Sequence, residues 1–209
     1  MGGAAKLKGV QAMHVKMAQR AKDEATSQVD ALIVYPDRMR LGMDSPMGPM
    51  TVVIKPSGSF MAAQGRVQPI PPSGAKASLD QIKRDPVFIA AHLDDPKFTF
   101  AANGTAKVGS VDAKIVDVDA DGTSVRWYVD PASGLLLRES YTAIGDAGTF
   151  NGETDLSEWK MFDGIKIPTK HLNRQNGTES SIVTFIEVSL NPQVDTKLFE
   201  KPAATASAQ

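Results

Sequence analysis

Through most of this chain apolar side chains recur at every second position, and only one stretch breaks that rhythm. Met13, Val15 and Met17 alternate with His14, Lys16 and Ala18, which is the period of a strand with one buried face. Val29, Ala31, Ile33 and Tyr35 repeat the pattern until Pro36-Asp37 bends or interrupts it. Met39, Leu41 and Met43 then alternate with Arg38, Arg40 and Asp44. Ser45-Pro46-Met47-Gly48-Pro49 reads as a turn, after which Met50, Val52 and Ile54 open another strand. Pro56-Ser57-Gly58 turns again, into Phe60-Met61-Ala62. Such alternation requires a sheet with one apolar side.

The exception runs from about Ser73 to Leu93. There Leu79, Ile82, Ile89 and Leu93 fall at helical spacing, with Lys83 and Arg84 facing elsewhere. Ser78-Leu79-Asp80-Gln81 fits a capping box, although Ser73 offers an earlier start. Asp85-Pro86 has the form of an N-cap followed by proline at the first helical position, which predicts two short helices with a break near Arg84.

From Lys97 onward the pattern is a meander. Asp121-Gly122 predicts a hairpin between Ala113–Val118 and Ser124–Val129, where Val125, Trp127 and Val129 alternate. Asp130-Pro131-Ala132-Ser133-Gly134 turns into Leu135–Tyr141, and Asn151-Gly152 and Asn176-Gly177 read as later turns. Phe185, Glu187 and Ser189 alternate with Thr184, Ile186 and Val188 before Asn191-Pro192 ends the last strand. No repeat or linker divides the chain. Strands, a helical pair, then strands predict one α+β domain over residues 1–202, with a curved antiparallel sheet and helices against one face. Residues 203–209 are small and polar, and read as a disordered tail.

Charge and composition narrow the function. With 23 basic and 24 acidic side chains in 209 residues, the formal charge is −1, which gives no electrostatic footprint for a nucleic acid. No run approaches the roughly 18 apolar residues of a membrane span. Met1-Gly2-Gly3-Ala4-Ala5-Lys6-Leu7-Lys8 has no apolar run behind its charges, so it does not read as a signal peptide. The absence of cysteine removes disulfides, thiolate metal sites, thiol catalysis and a lipid anchor on an N-terminal Cys.

The motifs point away from catalysis. His14, His92 and His171 have no metal-ligand neighbours at useful spacing, both H-E-x-x-H and H-x-x-E-H are absent, and His92 near a helix end reads as structural. Asp117-Val118-Asp119-Ala120-Asp121-Gly122 matches the first half of a calcium loop, but the twelfth position is Tyr128 instead of a bidentate carboxylate. It reads more simply as a hairpin turn. Ser73-Gly74-Ala75-Lys76 and Ser157-Glu158-Trp159-Lys160 match S-x-x-K without its companion elements. Asn103-Gly104-Thr105 and Asn176-Gly177-Thr178 fit a glycosylation sequon and read as tight turns. The expectation is a non-enzyme without cofactor or metal.

One compositional bias stands out. Eight of nine methionines, Met1, Met13, Met17, Met39, Met43, Met47, Met50 and Met61, lie in the first 61 positions. Methionine fills irregular cores, and it also lines surfaces that fit variable apolar ligands. Both readings stay open from composition alone.

Three stretches carry a family likeness. The first is Tyr35-Pro36-Asp37-Arg38-Met39-Arg40 with Ser45-Pro46 and Lys55-Pro56-Ser57-Gly58. The second is Trp127-Tyr128-Val129-Asp130-Pro131-Ala132-Ser133-Gly134-Leu135. The third is Asp163-Gly164-Ile165-Lys166-Ile167-Pro168 with the closing segment Asn191–Pro202. Together they resemble the outer-membrane lipoprotein-sorting superfamily, the LolA/LolB-like fold, from about Lys6 to Pro202. The resemblance implies an incomplete antiparallel β-barrel whose concave face is covered by short helices. It also implies export to the periplasm or cell envelope, and a lipid, a lipidated protein or another apolar small molecule as the ligand.

On that reading the cavity is lined by Met13, Val15, Met17, Met39, Leu41, Met43, Val52, Ile54, Met61 and Trp127. Ile82, Phe88, Ile89 and Leu93 then belong to a helical lid. Burying an acyl chain of about 15 methylenes yields ~12 kcal/mol gross, so apolar area suffices as a site. Dedicated carriers place Arg just before the strand proline to tie the lid; here Tyr35 holds that position, with Arg38 and Arg40 in a different register. The terminal stretches Gly2-Gly3-Ala4-Ala5-Lys6-Leu7 and Phe199-Glu200-Lys201-Pro202 also resemble a non-catalytic domain behind pitrilysin/insulinase-like zinc peptidases. That alternative implies a peptidase module in the same polypeptide and a role in protein interaction.

Overall fold

The computed structural model describes residues 4–202 apart from 23, 46–47 and 146–147. The predicted tail at 203–209 and the middle of the Ser45–Pro49 turn therefore lie outside the described residues. A short helix α1 (Ala4–Lys8) leads into six strands: β1 (Ala12–Ala21), β2 (Ser27–Val34), β3 (Arg38–Ser45), β4 (Gly48–Ile54), β5 (Phe60–Ala63) and β6 (Arg66–Pro69). Helices α2 (Pro72–Arg84) and α3 (Pro86–Ala91) follow. The chain then forms β7 (Phe98–Val108), β8 (Val111–Ala120), β9 (Thr123–Val129), β10 (Leu136–Gly145), β11 (Gly148–Phe162), β12 (Ile165–Gln175) and β13 (Thr178–Leu190). A single 3-10 turn covers Thr196–Phe199.

All thirteen strands form one antiparallel sheet in the order β6-β5-β4-β3-β2-β1-β13-β12-β11-β10-β9-β8-β7. Its two edges, β6 and β7, do not pair with each other, so the barrel stays open. The connection between those edge strands is the helical pair itself. A chain that leaves one edge and re-enters at the other must cross the mouth of the curved sheet, and α2 and α3 make that crossing. The sheet is thus the predicted α+β incomplete barrel with short helices on its concave face.

The break between the helices is set locally. Asp85 is extended (ψ 124°), as a residue before proline prefers. Its carboxylate accepts hydrogen bonds from the backbone N–H groups of Val87 at 2.7 Å and Phe88 at 3.3 Å. α2 starts at Pro72, ahead of the Ser78 capping box, with proline in its first turn and no side-chain cap. Asp85→Ala is expected to cost about 1 kcal/mol, the usual value of a lost N-cap, while Asp85→Asn should keep the cap and lose little. Urea titration of the two variants measures the difference.

Two predicted turns fall inside strands. Asn151-Gly152 lies within β11, which already begins at Gly148, where β10 has ended at Gly145. Gly152 is required there because a Cβ would stand 2.5 Å from Cε2 of the Tyr141 ring, which lies across it. Asn103-Gly104 sits in β7, where the register shifts between Ala102 and Thr105 and Gly104 adopts φ +79°. That is a β-bulge, not a turn. Asn176-Gly177 does close a hairpin, between β12 and β13.

The outer face of β2, β4 and β5 is also covered. Leu32, Val53 and Phe60 pack there against Phe199 and Val194 of the C-terminal segment. The Lys55 ammonium donates to the Phe199 carbonyl at 2.7 Å.

Candidate ligand-binding site

Strand register assembles the predicted apolar residues into rows on the concave face. Met13, Ile33, Met39 and Ile54 are successive cross-strand partners on β1–β4. Val15, Ala31, Leu41, Val52 and Met61 form the next row, from β1 to β5, and Met17, Val29, Met43, Met50 and Ala63 the third. All nine strand residues from Met13 to Met61 predicted to line a cavity therefore share one surface, with row neighbours about 5 Å apart.

Burial falls from the first row to the third, with half-buried Ile33 in the first and buried Val29 in the third as exceptions. Met13, Val15, Met39 and Ile54 are buried, whereas Met17, Leu41, Met43, Met50, Val52 and Met61 are only half-buried. The helices account for the gradient. Ile82 and Leu79 of α2 press on Met39 and Ile54. Val87, Ala90 and Ala91 of α3 press on Met13 and Val15. Phe88 and Ile89 turn the other way, onto Trp127, Leu136 and Leu156. Leu93 follows the end of α3 and is 49% exposed, so it joins none of these clusters. The helices thus occupy the middle of the concave face and leave a methionine-rich margin half open.

Tyr35, at the position the resemblance singles out, holds the helices by a different contact. Its ring stacks on Phe88 with centroids 5.3 Å apart, and Phe88 also meets His92 at 4.4 Å and Phe98 at 5.6 Å. Burial, and then the nearby Asp85 charge, push the Tyr35 phenol well above its usual range. Burial likewise raises Asp85, against the pull of the Val87 and Phe88 N–H groups.

A second buried polar group lies opposite, unannounced by the sequence. Glu139 on β10 is the cross-strand partner of Trp127 on β9. Burial, together with the Asp85 charge, lifts its carboxyl to about 8, although Arg84 opposes the shift. Arg84 itself is buried and lies over the Tyr141 ring, 4.2 Å from its centroid. The buried side-chain atoms that find no hydrogen-bond partner in the protein include Trp127 Nε1, Glu139 Oε2 and Trp159 Nε1, while the Tyr35 hydroxyl is set against the Asp85 carboxylate. A signal for Glu139 was hidden by a register shift between Leu136 and Arg138. Alternation counted from the buried Leu136 would have sent Glu139 and Tyr141 outward.

A groove of about 950 Å³ opens beside this group. Arg84, Thr123, Val125, Tyr141 and Gly152 line it, where β10 runs on beyond its pairing with β9. The end of α2 is fastened across it: Lys83 donates to the Asp121 carbonyl at 2.9 Å and to its carboxylate at 2.8 Å. The half calcium loop is committed elsewhere. Asp117 pairs with Arg126 and Asn103, Asp119 caps the Gly122 N–H, and Asp121 takes Lys83. Among the described residues no three His, Asp or Glu side chains are placed to hold a metal ion. His171, whose ring is tilted 49° against Phe185 at 4.7 Å, is driven by burial down to about 4.

No family model and no curated protein sequence matches the chain. Solved structures do. A DUF1329 family protein from Desulfovibrio piger superposes with a TM-score of 0.61 at 15% identity, covering 94% of this chain and 92% of that one. A LolA superfamily protein from Nitrosomonas europaea gives 0.59 at 12% identity, with 95% and 96% covered. An outer-membrane lipoprotein-sorting protein domain from Vibrio parahaemolyticus gives 0.55 at 14% identity, with 94% of each chain covered. These likenesses span nearly the whole of each chain, and they identify the fold as LolA/LolB-like.

Proposed function

We propose that this protein is a non-enzymatic binding domain of the cell envelope. On this reading it takes up an acyl chain, carried by a lipid or a lipidated protein, between its concave sheet and the helical crossing. The observation that carries the reading is the fall in burial from the first row to the third. A continuous apolar surface runs out from under α2 and α3 into half-buried Met17, Met43, Met50 and Met61. Flexible, polarisable side chains at such a margin accommodate chains of differing shape. The helices hold the same surface by side-chain contacts alone, so a ligand of comparable apolar area competes with them directly. The fold shared with a lipoprotein-sorting domain and a LolA superfamily protein supports an apolar cargo and an envelope location. No helix among the described residues is long and apolar enough to cross a membrane. The peptidase-appended alternative draws no support from these likenesses and rests on the terminal stretches alone.

Protein purified without detergent should enhance the fluorescence of an apolar dye, and palmitate or a palmitoylated peptide should displace it. Met43→Glu, at a half-buried position, should weaken that binding at least tenfold while the far-ultraviolet spectrum stays unchanged, since a charge cannot follow the site into an apolar complex without a large desolvation cost. A dye that stays dark, or a Met43→Glu variant that binds as well as its parent, would remove the basis for the reading.

A further inference from the structure

Two neighbouring strands come apart at one end of the sheet. β9 and β10 are partners from Val129 and Leu136 as far as Arg126 and Ser140, although β9 begins at Thr123 and β10 runs on to Gly145. Over the stretches that part, each strand keeps its other neighbour: Thr123–Val125 stays on β8, and Tyr141–Gly145 stays on β11. The result is a notch, open at the rim and closed where Arg126 meets Ser140. The groove of about 950 Å³ lies in it, lined by Ser124 and Val125 on one side and by Tyr141 and Thr142 on the other.

Antiparallel pairing fixes which backbone groups face the notch, because hydrogen-bonded and non-bonded partners alternate along a ladder. Ala120 and Thr123 close the two-residue Asp121-Gly122 hairpin as a bonded pair, so Ser124 and Arg126 turn their N–H and C=O groups toward β10. Arg126 meets Ser140 there. Thr142 and Ile144, two and four residues beyond Ser140, present theirs to the same side. Ser124, Thr142 and Ile144 are all exposed. Proteins normally blunt a free edge by shortness, a bulge, a charge or a proline. The outer edges comply: β6 has four residues, and β7 is bulged between Ala102 and Thr105. Thr123–Val125 and Tyr141–Gly145 carry neither charge nor proline. Ile144 at the mouth is 65% exposed, more than any other large apolar side chain among the described residues.

Charge selects the occupant. Asp80, Asp117, Asp119 and Glu153 line the groove against Arg84 and Arg126. Asp117 already holds Arg126, and Asp80 holds Lys76. Asp119, across the β8–β9 pair from Ser124, is met by the Gly122 N–H and by no cation among the described residues. Glu153, across the β10–β11 pair from Ser140, has only a long 3.9 Å contact with Arg138. We infer that the notch receives an extended, lysine- or arginine-bearing segment of a partner protein as an added strand. The segment pairs with the free groups of Thr142 and Ile144, and its basic side chains reach Asp119 and Glu153. This docking surface is separate from the apolar rows and stands whether or not an acyl chain is the ligand.

A fluorescein-labelled hexapeptide of alternating lysine and valine tests the surface. It should bind the wild-type protein, more weakly as salt is raised, and the matching peptide of alternating glutamate and valine should bind at least tenfold more weakly. Amide hydrogen exchange followed by NMR locates the complex. In the free protein the Thr142 and Ile144 amides should exchange readily, and saturating peptide should slow them at least tenfold. Tyr141 and Ala143, whose N–H groups face β11, should change little. Thr142→Pro removes one of the free donors at a position where no ladder bond is lost. It should lower affinity about threefold to tenfold, the scale of one hydrogen bond. Should that variant fail to fold, Asp119→Asn, which keeps an oxygen for the Gly122 N–H, should lower affinity about twofold to fivefold and flatten the salt dependence. A lysine peptide that binds without protecting Thr142 and Ile144 sits elsewhere and overturns the inference. So does a glutamate peptide that binds as well, or the failure of both peptides to bind.

Discussion

Phe88→Ala is expected to destabilise the protein by about 3–5 kcal/mol, the usual range for a buried phenylalanine truncated to alanine, and at the same time to tighten acyl-chain binding. Phe88 is 5% exposed and meets three rings, Tyr35, His92 and Phe98. Its loss weakens the hold of α3 on the concave face, and that hold is what a ligand must overcome. Loss of stability alone would say little, since any large core residue gives it. Phe60→Ala separates the two effects. Phe60 is 1% exposed but faces the other side of the sheet, against Phe199, so a similar loss of stability should come with no gain in affinity. Urea unfolding and dye competition on both variants give the four numbers needed. Equal affinities in the two variants would mean that the helices do not compete with the ligand.

The second large effect is a fall in stability of about 2 kcal/mol between pH 6.5 and 8. Glu139 carries a native pKa of about 8 against 4.5 in the unfolded chain. Across that interval the native state holds a proton that the unfolded state has lost, so stability declines as pH rises. The side chains that act on this carboxyl are Asp85, which raises it, and Arg84, which lowers it, while Tyr141 feels its charge in return. His171 has the opposite sign. Its native value near 4 lies below the ordinary 6.5, so its contribution grows with pH from 4 to 6.5 and is then complete. The two trends oppose each other below pH 6.5, and above it the Glu139 slope is left. Glu139→Gln should flatten the profile between 6.5 and 8. A slope that persists in that variant would assign it to another group.

The sheet was legible in the sequence because its evidence is periodic. Met13, Val15 and Met17, or Met39, Leu41 and Met43, announce both a strand and the face it buries, and the register then places them side by side. The break at Asp85 was equally plain, since a capping carboxylate followed by proline has few other meanings. Short edge segments were not legible: β6 has four residues, all exposed, and Val67 is its one branched apolar side chain. Gly152 misled because a glycine serves a turn and the close approach of a ring equally well, and only the position of Tyr141 decides between them. The polar group under the helices escaped for another reason. It joins residues from the turn after β2, the helical crossing, β9, β10 and β11, and a bulge at Leu136 inverts the side to which Glu139 points.

Because α2 and α3 are spliced into the chain between the two outermost strands, they have no free end to swing on. A guest that displaces them leaves them leashed a few residues away at either side, at an effective concentration of order millimolar. Expulsion is then unimolecular, and its rate does not depend on how dilute the protein is. Severing one leash, by circular permutation between β6 and α2, would convert a spring-loaded clamp into a loose flap and lengthen the residence time of whatever it encloses.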